Sequence, residues 1–248
     1  MQLYCEQVGT GERVLLLLHG LAGNGAVWRP LLNVIRNRWP GRILVPDLRG
    51  HGRSPHGTHY TFGHYAADVA DLLPAGERVT AVAHSMGAVV ALTAANGWYG
   101  VSIDTVLGFG VKTGFTEAEK EKAQSLAGSP ARWFDTRSEA ADRFMRLSGL
   151  KGLVKEDSEA VDAGVCQENG RWRVAADPRT FTPPGPALAS LFRVEGTRLR
   201  LACGSEDQMV SVAELRRFDP EAMELPGLGH NLHVQAPEAL AELMDRLL

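Results

Sequence analysis

Short apolar segments rich in β-branched residues alternate along this chain with longer segments of helical periodicity. This alternation is typical of parallel strands joined by crossover helices. An opening segment near residues 2–8 is expected to pair antiparallel at one edge. The sequence therefore predicts an α/β fold with a mostly parallel central sheet and helices on both faces. The clearest strand-like segments are 42–46, 79–83 and 104–108, and the helical ones between them are 62–73 and 86–98.

Residues 82–87 (VAHSMG) place a serine between small residues where a predicted strand meets a predicted helix. In a nucleophile elbow, a tight strand-to-helix turn holds its central residue in an unfavourable backbone conformation and exposes the side chain. Small flanking residues avoid collisions at such a turn. The usual pattern has glycine two positions before the serine, where this chain has Ala83. Ser85 is therefore the candidate nucleophile.

Two further polar residues follow predicted strands. Asp207 comes after the apolar run 199–203, and His230 comes after the strand-like segment 223–226. A serine hydroxyl needs a base that removes its proton, and the base needs a third group that orients it. Because sites in open α/β sheets gather at the carboxyl ends of the strands, we expect Asp207 and His230 to meet Ser85 there.

A glycine-rich turn at residues 19–24 (HGLAGN) follows the apolar run 14–18. Such a turn after a strand can present backbone amides to a developing oxyanion. The backbone amides of Leu21 and Met86 are the expected donors, an assignment that rests on their positions in the chain.

These stretches together resemble the α/β-hydrolase fold family, in particular its small esterase-like serine hydrolases, in which the triad follows the order serine, acid, histidine. The resemblance implies an inserted helical cap over the nucleophile, with a core of 1–111 and 186–248 and a cap of 112–185. The family includes esterases, lactonases, thioesterases, carbon–carbon bond hydrolases, lyases and hormone receptors, so the fold does not name the substrate. The matching segments are 19–28 (HGLAGNGAVW), 46–54 (PDLRGHGRS), the elbow, 204–207 (GSED) and 229–230 (GH).

Neighbouring residues offer alternatives for two of the triad positions. Glu206 could orient the base instead of Asp207, and His233 could act as the base instead of His230; the resemblance favours Asp207 and His230. Asp47 and His51 are expected to shape a loop beside the site. His84 is expected to pack within the elbow.

Within the predicted cap, 116–126 has the pattern of a helix that begins with a threonine capping box, and 138–147 and 157–165 have weaker helical patterns. Binding sites for small molecules are mostly apolar. Four apolar cap residues are therefore candidates to line a substrate pocket, although they could equally hold the cap together: Trp133, Phe134, Phe144 and Met145.

Composition agrees with one soluble, cytoplasmic enzyme, and the family resemblance implies a small-molecule substrate. The 248 residues carry a net charge of −3 with basic and acidic residues interspersed, which disfavours nucleic acid as a partner. No signal peptide or membrane-spanning segment is recognisable. The three cysteines have wide spacings, which argues against a disulfide framework. We expect no metal, because the histidines of the loop 56–64 lack a zinc-ligand pattern. We expect no cofactor, because acyl transfer by a serine triad needs none. The sequence does not indicate an oligomeric state.

The expected reaction is hydrolysis of a carboxylic ester, lactone or thioester through an acyl-enzyme on Ser85. Two alternatives use the same fold: carbon–carbon bond hydrolysis, and elimination by a lyase of the menaquinone pathway, whose segment resembles 229–233 (GHNLH) here. Those lyases carry an arginine just after the elbow, where this chain has Val89. A ligand receptor with a retained triad is the alternative from another class, and turnover per ligand bound would distinguish it.

Overall fold

The computed structural model describes residues 1–73, 76–181 and 188–248. The helices found there are α1 (Arg29–Ile35), α2 (Phe62–Ala70), α3 (Met86–Ala94), α4 (Glu117–Ala127), α5 (Arg137–Leu147), α6 (Glu159–Gly164), α7 (Val212–Leu215), α8 (Leu232–Gln235) and α9 (Pro237–Leu247). The strands are β1 (Cys5–Val8), β2 (Val14–Leu18), β3 (Arg42–Pro46), β4 (Val79–His84), β5 (Thr105–Phe109), β6 (Val165–Glu168), β7 (Arg171–Val174), β8 (Arg198–Gly204) and β9 (Met223–Leu225).

Seven strands form the central sheet in the order β1-β3-β2-β4-β5-β8-β9. The edge strand β1 pairs antiparallel with β3, and every other pairing in this sheet is parallel. The direction in which successive strands are added to the sheet reverses at β2, because β3 lies on one side of β2 and β4 lies on the other. The predicted mostly parallel sheet with an antiparallel opening strand is confirmed.

Strand β2 shows why the sheet is covered on both faces. All five of its side chains are fully buried, and successive side chains of a strand point to opposite faces. Leu16 and Leu18 pack in one hydrophobic layer with α2 and α3, whereas Leu15 and Leu17 pack in the other with α1 and α9. Each leucine buried in this way contributes roughly 2 kcal/mol. A continuous apolar run therefore specifies a central strand.

Helix α3 ends earlier than the sequence predicts. The apolar pattern continues to Trp98, but the helix ends at Ala94 and Trp98 is 85% exposed. The local turn chemistry overrides the pattern, because Gly97 adopts φ +86° and the Asn96 side chain accepts a hydrogen bond from the Trp98 amide at 3.0 Å.

Between β5 and β8 the chain leaves the sheet and forms α4, α5, α6 and a hairpin of β6 and β7. We call its described part, residues 112–181, the insertion. The predicted capping box of α4 is present, since Thr116 and Glu119 bond each other's backbone amides. The hairpin was not predicted, although its turn residues Asn169 and Gly170, both with positive φ, are a recognised hairpin signal. The predicted cap boundary at 185/186 lies outside the described residues.

Candidate active site

Ser85 occupies the turn between β4 and α3 with φ +49° and ψ −117°. A residue with a side chain rarely adopts such a conformation, which costs of order 1–3 kcal/mol. The surrounding structure holds it there, because the Ser85 amide donates to the Phe109 carbonyl at 2.9 Å and the Ser85 carbonyl accepts from Ala88 at 3.0 Å. The backbone therefore has the geometry of a nucleophile elbow. Ser85 is half-buried at the carboxyl end of the central strand β4.

The small residues around Ser85 fit against the neighbouring strands. A β-carbon at Gly87 would lie 2.5 Å from the Leu18 carbonyl oxygen, so α3 packs directly against the end of β2. Ala83 stands beside Gly108 of β5 in the strand register. Because Gly108 has no side chain, the methyl group of Ala83 has no cross-strand neighbour on that side. This arrangement accommodates alanine where the usual motif has glycine.

Asp207 and His230 are joined by a hydrogen bond of 2.8 Å between Oδ2 and Nδ1. The Asp207 side chain is fully buried, and its second oxygen accepts from the Met209 amide at 2.8 Å. A carboxylate accepts hydrogen bonds, so Nδ1 of His230 carries the proton and Nε2 keeps its lone pair. The alternative orienter Glu206 is exposed and does not take part in this pairing.

His230 lies close to the turn that carries Ser85, although β5 and β8 separate their strands in the sheet. The His84 ring, next to Ser85 in the chain, lies 4.6 Å from the His230 ring in an edge-to-face arrangement. A β-carbon at Gly110 would lie 3.0 Å from both Cε1 and Nδ1 of His230. In the described part of the chain, no hydrogen bond joins the Ser85 hydroxyl to His230. Such bonds are often long in free enzymes and tighten when substrate binds.

The predicted oxyanion donors lie in two adjacent turns. Leu21 follows β2, in a loop that is closed by a 3.1 Å hydrogen bond from the Gly23 amide to the Gly20 carbonyl. Met86 is the first residue of α3, where a helix leaves its amides without intrahelical partners. Among the described residues, neither amide has a hydrogen-bond acceptor. Both remain available to an oxyanion, and their role stays a prediction.

Two buried polar residues fix the loop that carries Leu21. The His19 ring donates from Nδ1 to the Gly20 carbonyl at 2.8 Å and accepts at Nε2 from the Leu48 amide at 2.9 Å. Burial lowers the pKa of His19. Asp47, which was expected to be structural, accepts from the amides of Gly25 and Arg53 at 2.6 and 2.7 Å. The role of His19 was not predicted, because its partner Leu48 is distant in sequence.

His233, the alternative base, is 1% exposed, and neither of its ring nitrogens has a hydrogen-bond partner among the residues that the structure describes. Its ring packs 4.6 Å from Trp28 and 4.9 Å from His84. Burial and the nearby His230 lower the pKa of His233 to about 3. Burial likewise holds the pKa of His84 well below its usual value. Both rings are neutral packing groups behind the base.

The four candidate pocket residues fall into two groups. Phe144 and Met145 are almost fully buried in the hydrophobic layer that also contains Trp28. Trp133 and Phe134 are half-buried, with the Arg173 guanidinium 5.7 Å from the Trp133 ring and Phe134 bonded to the Trp172 backbone at 2.7 and 2.9 Å. The packing of the first pair agrees with the alternative that they hold the insertion in place. A pocket role for the four stays a prediction.

Three other features bear on function. The described residues include no group of three or more histidine, cysteine or acidic side chains that could hold a metal ion. Within the same ranges, no helix has the length and apolarity that crossing a membrane requires. Cys5, Cys166 and Cys203 are all free thiols, and burial raises the pKa of Cys203 to about 11.

Comparison with known proteins places this geometry in context. The family model described as "Alpha/beta hydrolase family" matches residues 15–243. A 2-succinyl-6-hydroxy-2,4-cyclohexadiene-1-carboxylate synthase of Pectobacterium atrosepticum is 28% identical over 243 residues, covering 94% of this chain and 93% of the relative.

Two solved structures have the same fold. An E-2-(acetamidomethylene)succinate hydrolase superimposes with a TM-score of 0.79 at 21% identity, and the match covers 99% of this chain and 94% of the hydrolase chain. A thioesterase domain from the curacin biosynthetic pathway superimposes with a TM-score of 0.78 at 21% identity, and the match covers 97% of this chain and 93% of the thioesterase chain.

Proposed function

Because this chain belongs to the alpha/beta hydrolase family, we propose that it is a serine hydrolase that cleaves a carboxylic ester, lactone or thioester of a small to medium substrate. The observation that carries the proposal is the Asp207–His230 hydrogen bond at the same sheet edge as the strained Ser85 turn. The first orients a base and the second exposes a nucleophile, which are the two requirements of acyl transfer by a serine.

The reaction has two steps. His230 accepts the Ser85 proton at Nε2 as the serine oxygen attacks the substrate carbonyl, while Asp207 stabilises the imidazolium. The backbone amides of Leu21 and Met86 donate to the oxyanion. His230 then protonates the leaving alcohol or thiol, which departs and leaves an acyl-serine. Water attacks this acyl group with the same assistance and releases the acid, so that the triad returns to its starting state.

In this proposal the chain divides into a hydrolase core (1–111 and 186–248) and a cap (112–185). The insertion supports the division, because it leaves the sheet after β5 and packs on the layer that contains α1 and α9. The cap would limit the size of the substrate and shield the site from bulk solvent. A cytoplasmic location also belongs to the proposal, and the three free thiols agree with a reducing compartment.

A fluorophosphonate probe tests the proposal, since it labels an activated serine whatever the natural substrate. The native protein should be labelled and should hydrolyse 4-nitrophenyl acetate. Ser85→Ala should not be labelled, and Ser85→Ala and His230→Ala should each lose roughly six orders of magnitude in kcat. Ser125→Ala, an exposed serine on α4, is the matched control and should behave as the native protein. A folded native protein that is not labelled would contradict the proposal and favour a ligand receptor.

One observation favours a second candidate, the elimination that forms 2-succinyl-6-hydroxy-2,4-cyclohexadiene-1-carboxylate. The synthase of that name matches nearly the full length of this chain. Against it, Val89 stands at the position of the substrate-binding arginine of those lyases, and Val89 is 3% exposed in the hydrophobic layer under α3. A protein that labels at Ser85 but turns over no ester, lactone or thioester, and that produces this compound, would support the lyase.

A further inference from the structure

Two asparagines connect the insertion to the loops that carry the proposed catalytic groups. Asn24 ends the loop of the oxyanion donor Leu21, and Asn231 directly follows the base His230. Both side chains are buried, with residue exposures of 0% and 3%. Each donates a hydrogen bond to a backbone carbonyl of the insertion, and neither was singled out by the sequence.

The amide orientation of Asn24 is fixed by its two partners. Its Oδ1 accepts from the Ala26 amide at 3.0 Å and caps a short 3-10 helix at Gly25–Trp28. Its Nδ2 therefore faces the other way and donates to the carbonyl of Ala160 in α6 at 2.8 Å. Because the same loop is closed by the Gly23 to Gly20 hydrogen bond, the position of α6 is tied to the position of Leu21.

Asn231 makes the equivalent connection on the side of the base. Its Nδ2 donates at 3.1 Å to the carbonyl of Gly149, just beyond the end of α5. Gly149 adopts φ +71°, and a β-carbon there would lie 3.0 Å from Nδ2 of Asn231. The Asn231 carbonyl accepts from the amides of Val234 and Gln235 at 3.0 Å, which anchors the residue to α8. The insertion is therefore hydrogen-bonded to Asn231, the residue next to His230 in the chain.

We propose that Asn24 and Asn231 are positioning residues that couple the seating of the insertion to the geometry of the oxyanion loop and of the base. The inference rests on the proposed serine hydrolase function and extends it: the position of the insertion also sets the alignment of the reacting groups. A small misalignment of such groups costs about 10- to 100-fold in rate. The effect should appear in kcat, because the loops carry the groups that act in the transition state.

The test compares variants that remove only the donor. Asn24→Ser keeps an oxygen that can cap Ala26, and Asn231→Ser keeps a polar side chain; both lose the bond to the insertion. With 4-nitrophenyl acetate, kcat should fall about tenfold in each, with KM within about twofold. The fluorophosphonate labelling rate should fall in parallel. Because both asparagines are bonded to the same insertion, their effects are coupled. The fold-loss of kcat in the double variant should therefore be smaller than the product of the fold-losses in the two single variants.

Gly149→Ala tests the same contact from the insertion side, so the inference stays testable if an asparagine variant fails to fold. It should lower kcat as Asn231→Ser does. Gly152→Ala is its matched control, because Gly152 has a similar φ of +83° but no atom within 4 Å of an added β-carbon. Asn33→Ser makes the asparagine-to-serine exchange at an exposed position of α1. Both controls should keep native kcat.

Glu156→Gln separates specific coupling from a general loosening of the insertion. Glu156 lies between α5 and α6, and its carboxylate accepts a hydrogen bond from the Ser138 hydroxyl at 3.1 Å on the exposed surface. Glu156→Gln should retain native kcat, because this bond joins two residues of the insertion to each other. The inference is overturned if both asparagine variants retain native kcat and labelling rate, or if Glu156→Gln loses as much as they do. If the fluorophosphonate probe does not label the folded native protein, the serine hydrolase proposal itself is overturned, and the inference with it.

Discussion

Oδ2 of Asp207 lies 2.8 Å from Nδ1 of His230, and the carboxylate is completely shielded from solvent whereas the imidazole is 20% exposed. Asp207 therefore fixes the orientation of the His230 ring from inside the protein, and the ring presents its other nitrogen outward. Asp207→Asn keeps the shape of this pair but places an amide opposite the ring. The amide can donate to Nδ1 and so favours the wrong tautomer, with the proton on Nε2.

We expect Asp207→Asn to lower kcat/KM for 4-nitrophenyl acetate by roughly 10⁴-fold. Glu206→Gln removes the charge of the exposed neighbouring carboxylate and should leave kcat/KM within about twofold of the native value. If the two variants lost activity equally, or if Glu206→Gln lost more, Asp207 would not be the orienting acid.

The backbone strain at Ser85 predicts a gain in stability when the side chain is removed. Ser85→Gly and Ser85→Ala both lose the hydroxyl, but only glycine adopts φ +49° without a steric penalty. The relief of strain outweighs the greater chain entropy of glycine in the unfolded state. Ser85→Gly should therefore be more stable than Ser85→Ala by about 1 kcal/mol. Urea unfolding measures the difference, and a more stable alanine variant would show that the turn is unstrained.

Gly110 predicts a defect that is specific to the base. In Gly110→Ala the new methyl group would press on the His230 ring, with contacts of 3.0 Å at Cε1 and Nδ1. We expect kcat to fall about 10- to 100-fold. Gly196→Ala is matched for backbone conformation, since Gly196 has φ +80° and no described atom within 4 Å of an added β-carbon. Each variant should lose about 1 kcal/mol or more of unfolding free energy, because alanine is strained at positive φ. Equal losses of kcat would refute the specific contact.

His233 predicts a pH dependence of stability. Its pKa is about 3 in the folded protein, against 6.5 for a free imidazole. Between these values the unfolded state binds a proton that the folded state does not, so acid lowers the unfolding free energy. His233→Phe removes this contribution and should reduce the slope by up to about 1.4 kcal/mol per pH unit.

Urea unfolding of the native protein and His233→Phe at about pH 7 and about pH 5 measures this slope. Substitution of the exposed His59 by glutamine serves as the control and should leave the slope unchanged. A native slope in His233→Phe would mean that the buried ring already carries a proton in the folded protein.

The sequence predicts the sheet and the placement of Ser85, Asp207 and His230 after strands, because both depend on local signals; the catalytic roles of the three residues stay a prediction. The apolar runs of β2 and β4 are typical of buried strands, and the small residues around Ser85 favour a tight turn. The end of α3 was predicted wrongly because the Asn96–Gly97 turn stops an apolar pattern that otherwise continues. The bonds from Asn24 to Ala160 and from Asn231 to Gly149 could not be predicted, since they join residues 136 and 82 positions apart.

The contact between Gly87 and the end of β2 has a consequence for the proposed oxyanion hole. Gly87 directly follows the proposed donor Met86, and an added β-carbon there would meet the carbonyl oxygens of Leu18 and His19, shortly before the proposed donor Leu21. The absence of a side chain at Gly87 therefore lets the start of α3 approach the end of β2. A larger residue would widen the gap between the two amides. In the proposed mechanism, the second small residue of the motif would thereby determine how tightly the transition state is held.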